Sequence, residues 1–288
     1  TSWNDIAGLA VAKRSLQEAA ILPLLRPDLY TGLRQPPKGI LLYGPPGTGK
    51  TMLVKAVAHE SKCLLFACTA SALTSKWHGE GEKLVRTLFH VASDVSPAIV
   101  FLDEIDSLLS SRGGGNEHEA SRRFKTEFMV QMDGIIAGKD DKSNDVQKRV
   151  LVLGCTNCPW DIDDAVMRRF QRRIYVPLPD GDARKALIEA MLRKSGNTHN
   201  LTSRQVTKLV ALTDGYSCSD IASVANEAAF GPLRSVGDLN AIRDVKTADV
   251  RPISCSDFED AIRNTSKSVS STLLAKYQQW ERAQAATG

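Results

Sequence analysis

Short apolar runs recur along the first two-thirds of the chain, at Ile40–Tyr43, Leu64–Cys68, Ala98–Leu102, Val150–Gly154 and Arg173–Val176. Each reads as a buried strand. The stretches between them carry a helical period. Leu84, Leu88 and Val91 recur on one face, and Phe124, Phe128 and Met132 on another. Apolar strands alternating with helices predict an α/β fold, a parallel sheet covered on both sides. The pattern changes at Pro177-Leu178-Pro179-Asp180, where proline interrupts any ladder. Beyond it only helices are expected, at Asp182–Lys194, Thr202–Thr213, Cys218–Ala229, Ser256–Thr265 and Ser270–Ala285. Leu187, Ile188, Met191 and Leu192 give the first of these a buried stripe. The pattern therefore predicts a large domain over residues 1–178 and a small helical domain over 179–288. Ala137–Arg149, with Lys139, Asp140, Asp141, Lys142 and Asp145, reads as a solvated loop.

One junction between strand and helix carries chemistry. Gly44-Pro45-Pro46-Gly47-Thr48-Gly49-Lys50-Thr51 fits the pattern G-x-x-x-x-G-K-[ST] in full. It follows the run Gly39–Tyr43 and opens the helical stretch Thr51–Ser61. Glycines let the backbone curl so that several N–H groups converge on one anion, and the helix N-terminus adds partial positive charge. Lys50 would then reach the β- and γ-phosphates, and the Thr51 hydroxyl would ligate Mg²⁺.

Composition narrows the class further. The 288 residues suffice for one large domain or two unequal ones. Hydrophobic residues at 42% and charged residues at 24% are those of an ordinary soluble protein. The net charge of +4, from 37 basic and 33 acidic residues, is too mild to argue for nucleic acid, and no basic helix or stripe stands out. No apolar run approaches the roughly 18 residues of a membrane span. The six cysteines lack the density of a disulfide scaffold, which points to a reducing compartment. A start at Thr1-Ser2-Trp3 reads as a domain taken from a longer protein.

The remaining candidates each carry a bland alternative. Asp103 and Glu104 end the third strand, where Asp103 can hold the Mg²⁺ shell and Glu104 can act as general base on an attacking water. Without the phosphate loop, two acids ending a strand would be ordinary surface. Asn157 follows the fourth strand and can position that water, or simply make a turn. Cys155 and Cys158 form C-x-x-C, but no second pair at metal spacing accompanies them. Arg168-Arg169, followed by Arg172-Arg173, is either a solvated charge run or an arginine finger for a neighbouring subunit. Trp77, between Lys76 and His78 in a polar, Gly-flanked segment, is either a core residue at a loop base or an exposed grip for a partner chain.

With these residues in hand, the chain resembles the AAA ATPases nearly end to end. Within them it is similar to the meiotic group of katanin, spastin, fidgetin and the ATPases that disassemble ESCRT filaments. The motifs are Asp5-Ile6-Ala7-Gly8-Leu9, the phosphate loop, Lys76-Trp77-His78-Gly79, the strand ending in Asp103-Glu104, Gly115–Arg123, Asn157 and Arg168-Arg169. The resemblance implies an AAA module, a parallel five-stranded αβα nucleotide-binding domain followed by a small helical domain. It implies ATP or ADP with Mg²⁺ held by Thr51 and Asp103. Asp5, Ile6 and Gly8 would line the adenine side, Met52 would follow the loop, and Ser217 and Cys218 would lie near the adenosine. Asn157 would act as sensor, and Arg168 and Arg169 as fingers on a neighbour's ATP, in a homo-hexamer. Lys76, Trp77 and His78, with Glu117, His118 and Glu119, would form pore loops that pull a polypeptide.

Arg234–Val250 is too short for the β-rich insertion of the ESCRT-type ATPases, and Phe230–Arg234 resembles the spastin and fidgetin form. Ser268-Val269-Ser270, Tyr277 and Trp280 resemble the C-terminal helix of severing enzymes. The implied function is thus microtubule severing by extraction of tubulin through its acidic tails, in a cytoplasmic, cytoskeleton-associated or nuclear setting. Disassembly of ESCRT filaments or another protein assembly is the alternative, and a nucleotide-dependent scaffold is a third. Two departures from the family pattern stand out: Cys218 replaces a glycine in Gly215-Tyr216-Ser217-Cys218-Ser219-Asp220, and the terminal Ala285-Ala286-Thr287-Gly288 lacks a Phe-Gly ending.

Overall fold

The computed structural model describes residues 1–69, 81–109, 117–137, 149–194, 199–236, 246 and 249–286. It divides into two compact units. One comprises Thr1–Ile6, Ala10–Gly44 and Lys50–Val176; the other comprises Ala7–Leu9, Pro45–Gly49 and Pro177–Gly288.

The first unit is built on a parallel sheet of β1 (Gly39–Tyr43), β2 (Leu64–Thr69), β3 (Ala98–Asp103), β4 (Val150–Thr156) and β5 (Arg172–Tyr175), in the order β2-β3-β4-β1-β5. Every residue of β1 and β4 is buried, because these central strands are covered on both faces. The edge strands β2 and β5 are mixed in exposure, and there the sequence admits Thr69, Arg172 and Arg173. The chain leaves β1 toward β2 and leaves β4 toward β5, so neighbouring strands send their connections in opposite directions. That creates a crevice at the carboxyl ends of β1 and β4, the usual place for a ligand in such sheets.

The helices of this unit begin with α1 (Ala10–Leu16), which continues through a π-helical turn. Next, α2 (Lys50–Ser61) packs on β2, β3 and β4, burying Leu53, Val54, Ala56 and Val57. Then come α3 (Gly81–Asp94), α4 (Ile105–Leu109), α5 (Glu117–Ala137) and α6 (Asp164–Arg169). Phe124, Phe128 and Met132 of α5 are buried, and Phe128 meets Phe89 of α3 edge-on with centroids 5.9 Å apart. The expected stripe on α3 is corrected. Leu84 and Val91 are 42% and 41% exposed, whereas Val85, Phe89 and Ala92 face the core. The helix carries two apolar stripes one residue apart, and the larger Phe89, matched by Phe128, takes the inner face.

The second unit holds α7 (Gly181–Lys194), α8 (Ser203–Leu212), α9 (Cys218–Ala229), α10 (Cys255–Asn264) and α11 (Ser271–Ala286). Ile188, Leu192, Leu209, Tyr216, Ile221, Val224 and Phe258 form its core, with Leu187 and Met191 packed against it. Thr202 with Gln205, Ser217 with Asp220 and Ser254 with Asp257 form reciprocal boxes that satisfy the first N–H groups of α8, α9 and α10. One isolated parallel bridge, His199 to Ile253, interrupts the expectation of helices alone. Residues 138–148 of the expected solvated loop lie outside the described residues.

Candidate nucleotide site

Three adjacent parallel strands, β3, β4 and β1, end at the same edge of the sheet. Their carboxyl ends carry Asp103-Glu104, Thr156-Asn157 and Gly44. Neighbouring strands run about 4.8 Å apart, so these residues converge without any loop rearrangement. Gly44 has φ 149°, and a Cβ there would stand 2.2 Å from the Val176 carbonyl oxygen. Only glycine lets the chain leave β1 at this point.

Lys50 opens α2 and is 8% exposed. Its Nζ donates to the Gly44 carbonyl at 2.8 Å. Burial pushes the ammonium down to about 8, against the pull of nearby groups including Asp103 and Asp106. Burial also pushes the Cys155 thiol well up, so that group stays neutral and the two carboxylates supply the opposing charge. A desolvated cation at the start of the helix that follows the loop is suited to an anionic ligand.

Thr51 Oγ1 donates to Asp103 Oδ2 at 2.9 Å. In an octahedral Mg²⁺ shell with bonds near 2.1 Å, neighbouring oxygens are about 3 Å apart. The two hard oxygens therefore already stand at the spacing of adjacent ligands, and the donor set suits that ion. Glu104, the next residue, is exposed and holds φ 53°, a left-handed conformation rare for a branched-chain or long side chain. Its N–H donates to Asp103 Oδ1 at 3.1 Å, and its carbonyl accepts from the Ser107 N–H at 3.1 Å and the Ser107 Oγ at 2.8 Å. Those three bonds hold the turn that swings Glu104 out of the line of β3. Strain of this kind gathers at functional positions.

Thr156 is buried, donates from Oγ1 to Asp106 Oδ1 at 2.7 Å and accepts from the Cys158 N–H at 2.9 Å. It fixes Asp106 beneath the crevice and shapes the bend at Asn157. Neither Asp106 nor Thr156 belonged to any recognised pattern; their pairing across 50 residues is visible only in the fold. Among the described residues no cluster of His, Cys, Asp and Glu has the makings of a separate metal site, and none of the six cysteines is in a disulfide.

Within the helical unit, Pro45–Gly49 curls with Thr48 Oγ1 donating to the Pro45 carbonyl at 3.0 Å. The Ser219 N–H donates to the Gly47 carbonyl at 3.1 Å. Gly47 has φ 73°, and a Cβ there would lie 2.7 Å from Ser217 Oγ and 2.9 Å from Ser219 Oγ. Gly8 has φ 64° and stands against Ala183, 2.6 Å from the position of a Cβ. Cys218 is half-buried in the first turn of α9, and burial pushes its thiol up to about 11. It therefore adds volume without a reactive thiolate. In the first unit, Asp5 caps its own short 3-10 turn through the Ser2 N–H at 2.9 Å, Ile6 is buried and Met52 is 44% exposed.

Arg168 and Arg169 end α6. Arg169 lies beside the start of β1: its carbonyl oxygen is 2.5 Å from where a Gly39 Cβ would be. Five residues of strand at about 3.3 Å each separate Gly39 from Gly44, so the Arg169 backbone sits about 16 Å from the end of β1 that carries the loop. Arg169 is engaged locally, donating to Asp133 Oδ1 at 3.0 Å, Asp133 Oδ2 at 2.7 Å and the Ala165 carbonyl at 2.7 Å. Arg168 is exposed. Lys76, Trp77 and His78 lie outside the described residues, and Glu117, His118 and Glu119 begin the α5 backbone.

A five-stranded parallel sheet whose loop-bearing β1 lies inside, between β4 and an acid-free β5, joined to a helical unit, defines the AAA class of P-loop folds. The profile of the ATPase family associated with various cellular activities (AAA) matches residues 40–178, and that of an AAA+ lid domain matches 205–251. The chain is 48% identical over 280 residues to fidgetin-like protein 1 of Caenorhabditis briggsae, covering 97% of this chain and 45% of that protein. It is 49% identical over 280 residues to spastin of Danio rerio, covering 97% of this chain and 47% of that protein. The chain thus spans a little under half the length of these relatives. Among solved structures, the FIGL-1 AAA domain in complex with ADP aligns at TM-score 0.85 and 44% identity, over 98% of this chain and 90% of that one. A katanin structure determined for its self-assembly aligns at TM-score 0.79 and 39% identity, over 97% and 90%. The chain belongs to the AAA ATPase family, in its branch with spastin, fidgetin and katanin.

Proposed function

We propose that this chain is the ATP-hydrolysing motor of a ring, a homo-hexamer that pulls polypeptide tails through its pore and severs microtubules by extracting tubulin. The observation that carries the reading is spatial. The groups suited to nucleotide, Lys50, Thr51, Asp103 and Glu104, gather at one end of the strands, while the Arg169 backbone sits about 16 Å away at the other. Arginines at the far end of the strands from the loop are suited to a neighbour's nucleotide, and an assembled site explains both halves. The ADP bound to the FIGL-1 domain and the self-assembly of katanin support the same reading.

In this reading residues 1–178 are the ATPase domain and 179–288 the small domain. The loop N–H groups and Lys50 bind the phosphates, with Thr51 and Asp103 holding Mg²⁺. When bound, that ion offsets charge on the β- and γ-oxygens. Glu104 takes the proton of the attacking water, Asn157 orients it, and the neighbour's Arg168 and Arg169 neutralise the charge that develops. Asp5, Ile6, Gly8, Met52, Ser217 and Cys218 surround the rest of the nucleotide. Lys76, Trp77, His78, Glu117, His118 and Glu119 grip acidic tubulin tails in a cytoplasmic, cytoskeleton-associated setting. The spastin likeness favours tubulin over ESCRT filaments.

The test has two arms. Glu104→Gln should still bind ATP, turn it over at least about a hundredfold more slowly, and accumulate as oligomer. Normal phosphate release from that variant would remove Glu104 from its role. The second arm places full-length protein on stabilised microtubules. Trp77→Ala should keep ATP turnover and lose severing; undiminished severing sinks the pore-loop mechanism.

A further inference from the structure

The N-terminus of α9 joins two segments far apart in sequence. Asp220 is 7% exposed, and its Oδ2 accepts from the Ser217 N–H at 2.9 Å, the Ser268 N–H at 3.2 Å and the Ser268 Oγ at 2.9 Å. Ser217 Oγ accepts from the Asp220 N–H at 3.2 Å and meets Ser268 Oγ at 3.2 Å. A reciprocal capping box needs only the Ser217 half of this network. The Ser268 half is additional, and it spends a buried carboxylate on the short segment that leads into α11. That segment is itself anchored. Val269 is buried, and Ser270 caps α11 by accepting the Leu273 N–H at its Oγ (3.2 Å). The other end of the same turn touches the phosphate loop, where the Ser219 N–H holds the Gly47 carbonyl at 3.1 Å and Ser217 Oγ fills the space beside Gly47.

We infer that Asp220 is a positioning residue that couples the phosphate loop to the C-terminal helix. It holds Ser217 and Ser219 against Gly47 with one set of bonds and Ser268 with the other, so filling the loop and docking α11 stabilise one another. The path is Gly47, Ser219, Asp220, Ser268, α11, all of it hydrogen-bonded or covalent. Three donors converge on one anionic oxygen, and a carboxamide oxygen has neither the charge nor the capacity to hold all three equally. Loss of either half should therefore be felt at the other.

The inference rests on the nucleotide-binding reading, and the experiment separates the two. ADP affinity of the full chain is titrated, and hydrogen exchange of the Ser271–Ala286 amides is followed with and without ADP. In the wild type, ADP should slow that exchange. Asp220→Asn should weaken ADP about tenfold, which is about 1.4 kcal/mol, and abolish the ADP-dependent protection. Ser268→Ala leaves the α9 cap intact, yet should also lose the protection, with ADP a few-fold weaker; Ser268→Thr should restore both. A purely structural role would lower the melting temperature of Asp220→Asn and Ser268→Ala while leaving ADP affinity and the protection pattern as in the wild type, and that result overturns the inference. Wild-type protein that binds ADP without change at Ser271–Ala286 overturns it alone. Wild-type protein that binds no ADP overturns the nucleotide reading beneath it.

Discussion

Raising the pH from 7.5 to 9.5 should weaken ADP binding about 25-fold, and the reason is Lys50. Its ammonium is 8% exposed and is pushed down to about 8 by burial. A bound polyphosphate replaces the lost solvation with charge and pulls the group back up, so only the charged form is competent. With the transition near 8, about three-quarters of the chains are competent at pH 7.5 and about 3% at pH 9.5. The apparent dissociation constant scales with the inverse of that fraction. The terminal phosphate of ADP ionises near 6, so the ligand's charge is constant over this range. Titration calorimetry in two buffers of different ionisation enthalpy provides the second readout. Uptake should be about a quarter of a proton per ADP at pH 7.5, about half at pH 8 and nearly one at pH 9.5. Lys50→Arg, charged throughout, should show a flat profile at whatever affinity it retains. The ligand-free fold should move the opposite way. Because the folded lysine releases its proton before the unfolded one, the unfolded chain holds more protons between about 8 and 10.5, and stability rises with pH across that window. The gain is on the order of 3 kcal/mol, read as the difference from Lys50→Met. An affinity constant within threefold from pH 7.5 to 9.5, with no proton uptake, refutes the argument.

Two further outcomes follow from pairs on the surface of each unit. Arg169→Ala should lower the denaturation midpoint by the equivalent of about 1 kcal/mol, because it strips a bidentate partner from Asp133 and opens the contact of α6 with α5. Arg168→Ala should leave the midpoint within error while still lowering turnover; equal midpoints for the two variants would contradict the division. In the helical unit, Arg251 and Ser254 hold the Asp257 carboxyl far below the usual carboxylate range through bonds of 2.7 to 2.8 Å. That stabilisation is complete above about pH 4 and is lost as the pH falls below it toward the folded value. Urea titrations at pH 7 and pH 3 should therefore differ less for Arg251→Ala than for the wild type, by at most about 1 kcal/mol, because pH 3 lies less than one unit below the ordinary Asp value and Arg251 is 41% exposed.

The centre of the sheet is readable because β1, β3 and β4 are apolar on both faces. Four of the five expected runs match their strands to within two residues at each end, and the fifth, Arg173–Val176, is offset by one. Burial on both sides leaves no other element for Ile40–Tyr43 or Ala98–Leu102 to form. Helix α3 misleads for the converse reason. Leu84, Leu88 and Val91 make as good a stripe as Val85, Phe89 and Ala92, and periodicity cannot rank two stripes on one helix. Only the partner does so, and Phe128 lies 39 residues beyond Phe89.

The candidate site divides along the same line. Its contiguous part, Gly44 to Thr51, is legible because one local turn needs glycine three times and lysine once. Its non-local part is not. The Thr156–Asp106 bond, the Arg169–Asp133 pair and the Asp220–Ser268 link join residues 36 to 50 positions apart, none marked by composition. Glu104 is the instructive intermediate. Its place after Asp103 is plain in the sequence, but a strand ending in two acids gives no hint that the second takes φ 53°. That conformation costs about 1 kcal/mol or more for a non-glycine residue, and three hydrogen bonds to Asp103 and Ser107 are needed to hold it. Replacing Glu104 by glycine would relieve the strain and stabilise the fold. Leu9 and Lys62 take the same left-handed conformation, so the backbone alone does not mark a functional residue. At Glu104 it is the carboxylate beside Asp103 and Thr51 that fits the proposed base. Glu104→Gly should therefore be more stable yet slow in ATP turnover, and a variant with normal turnover removes the role.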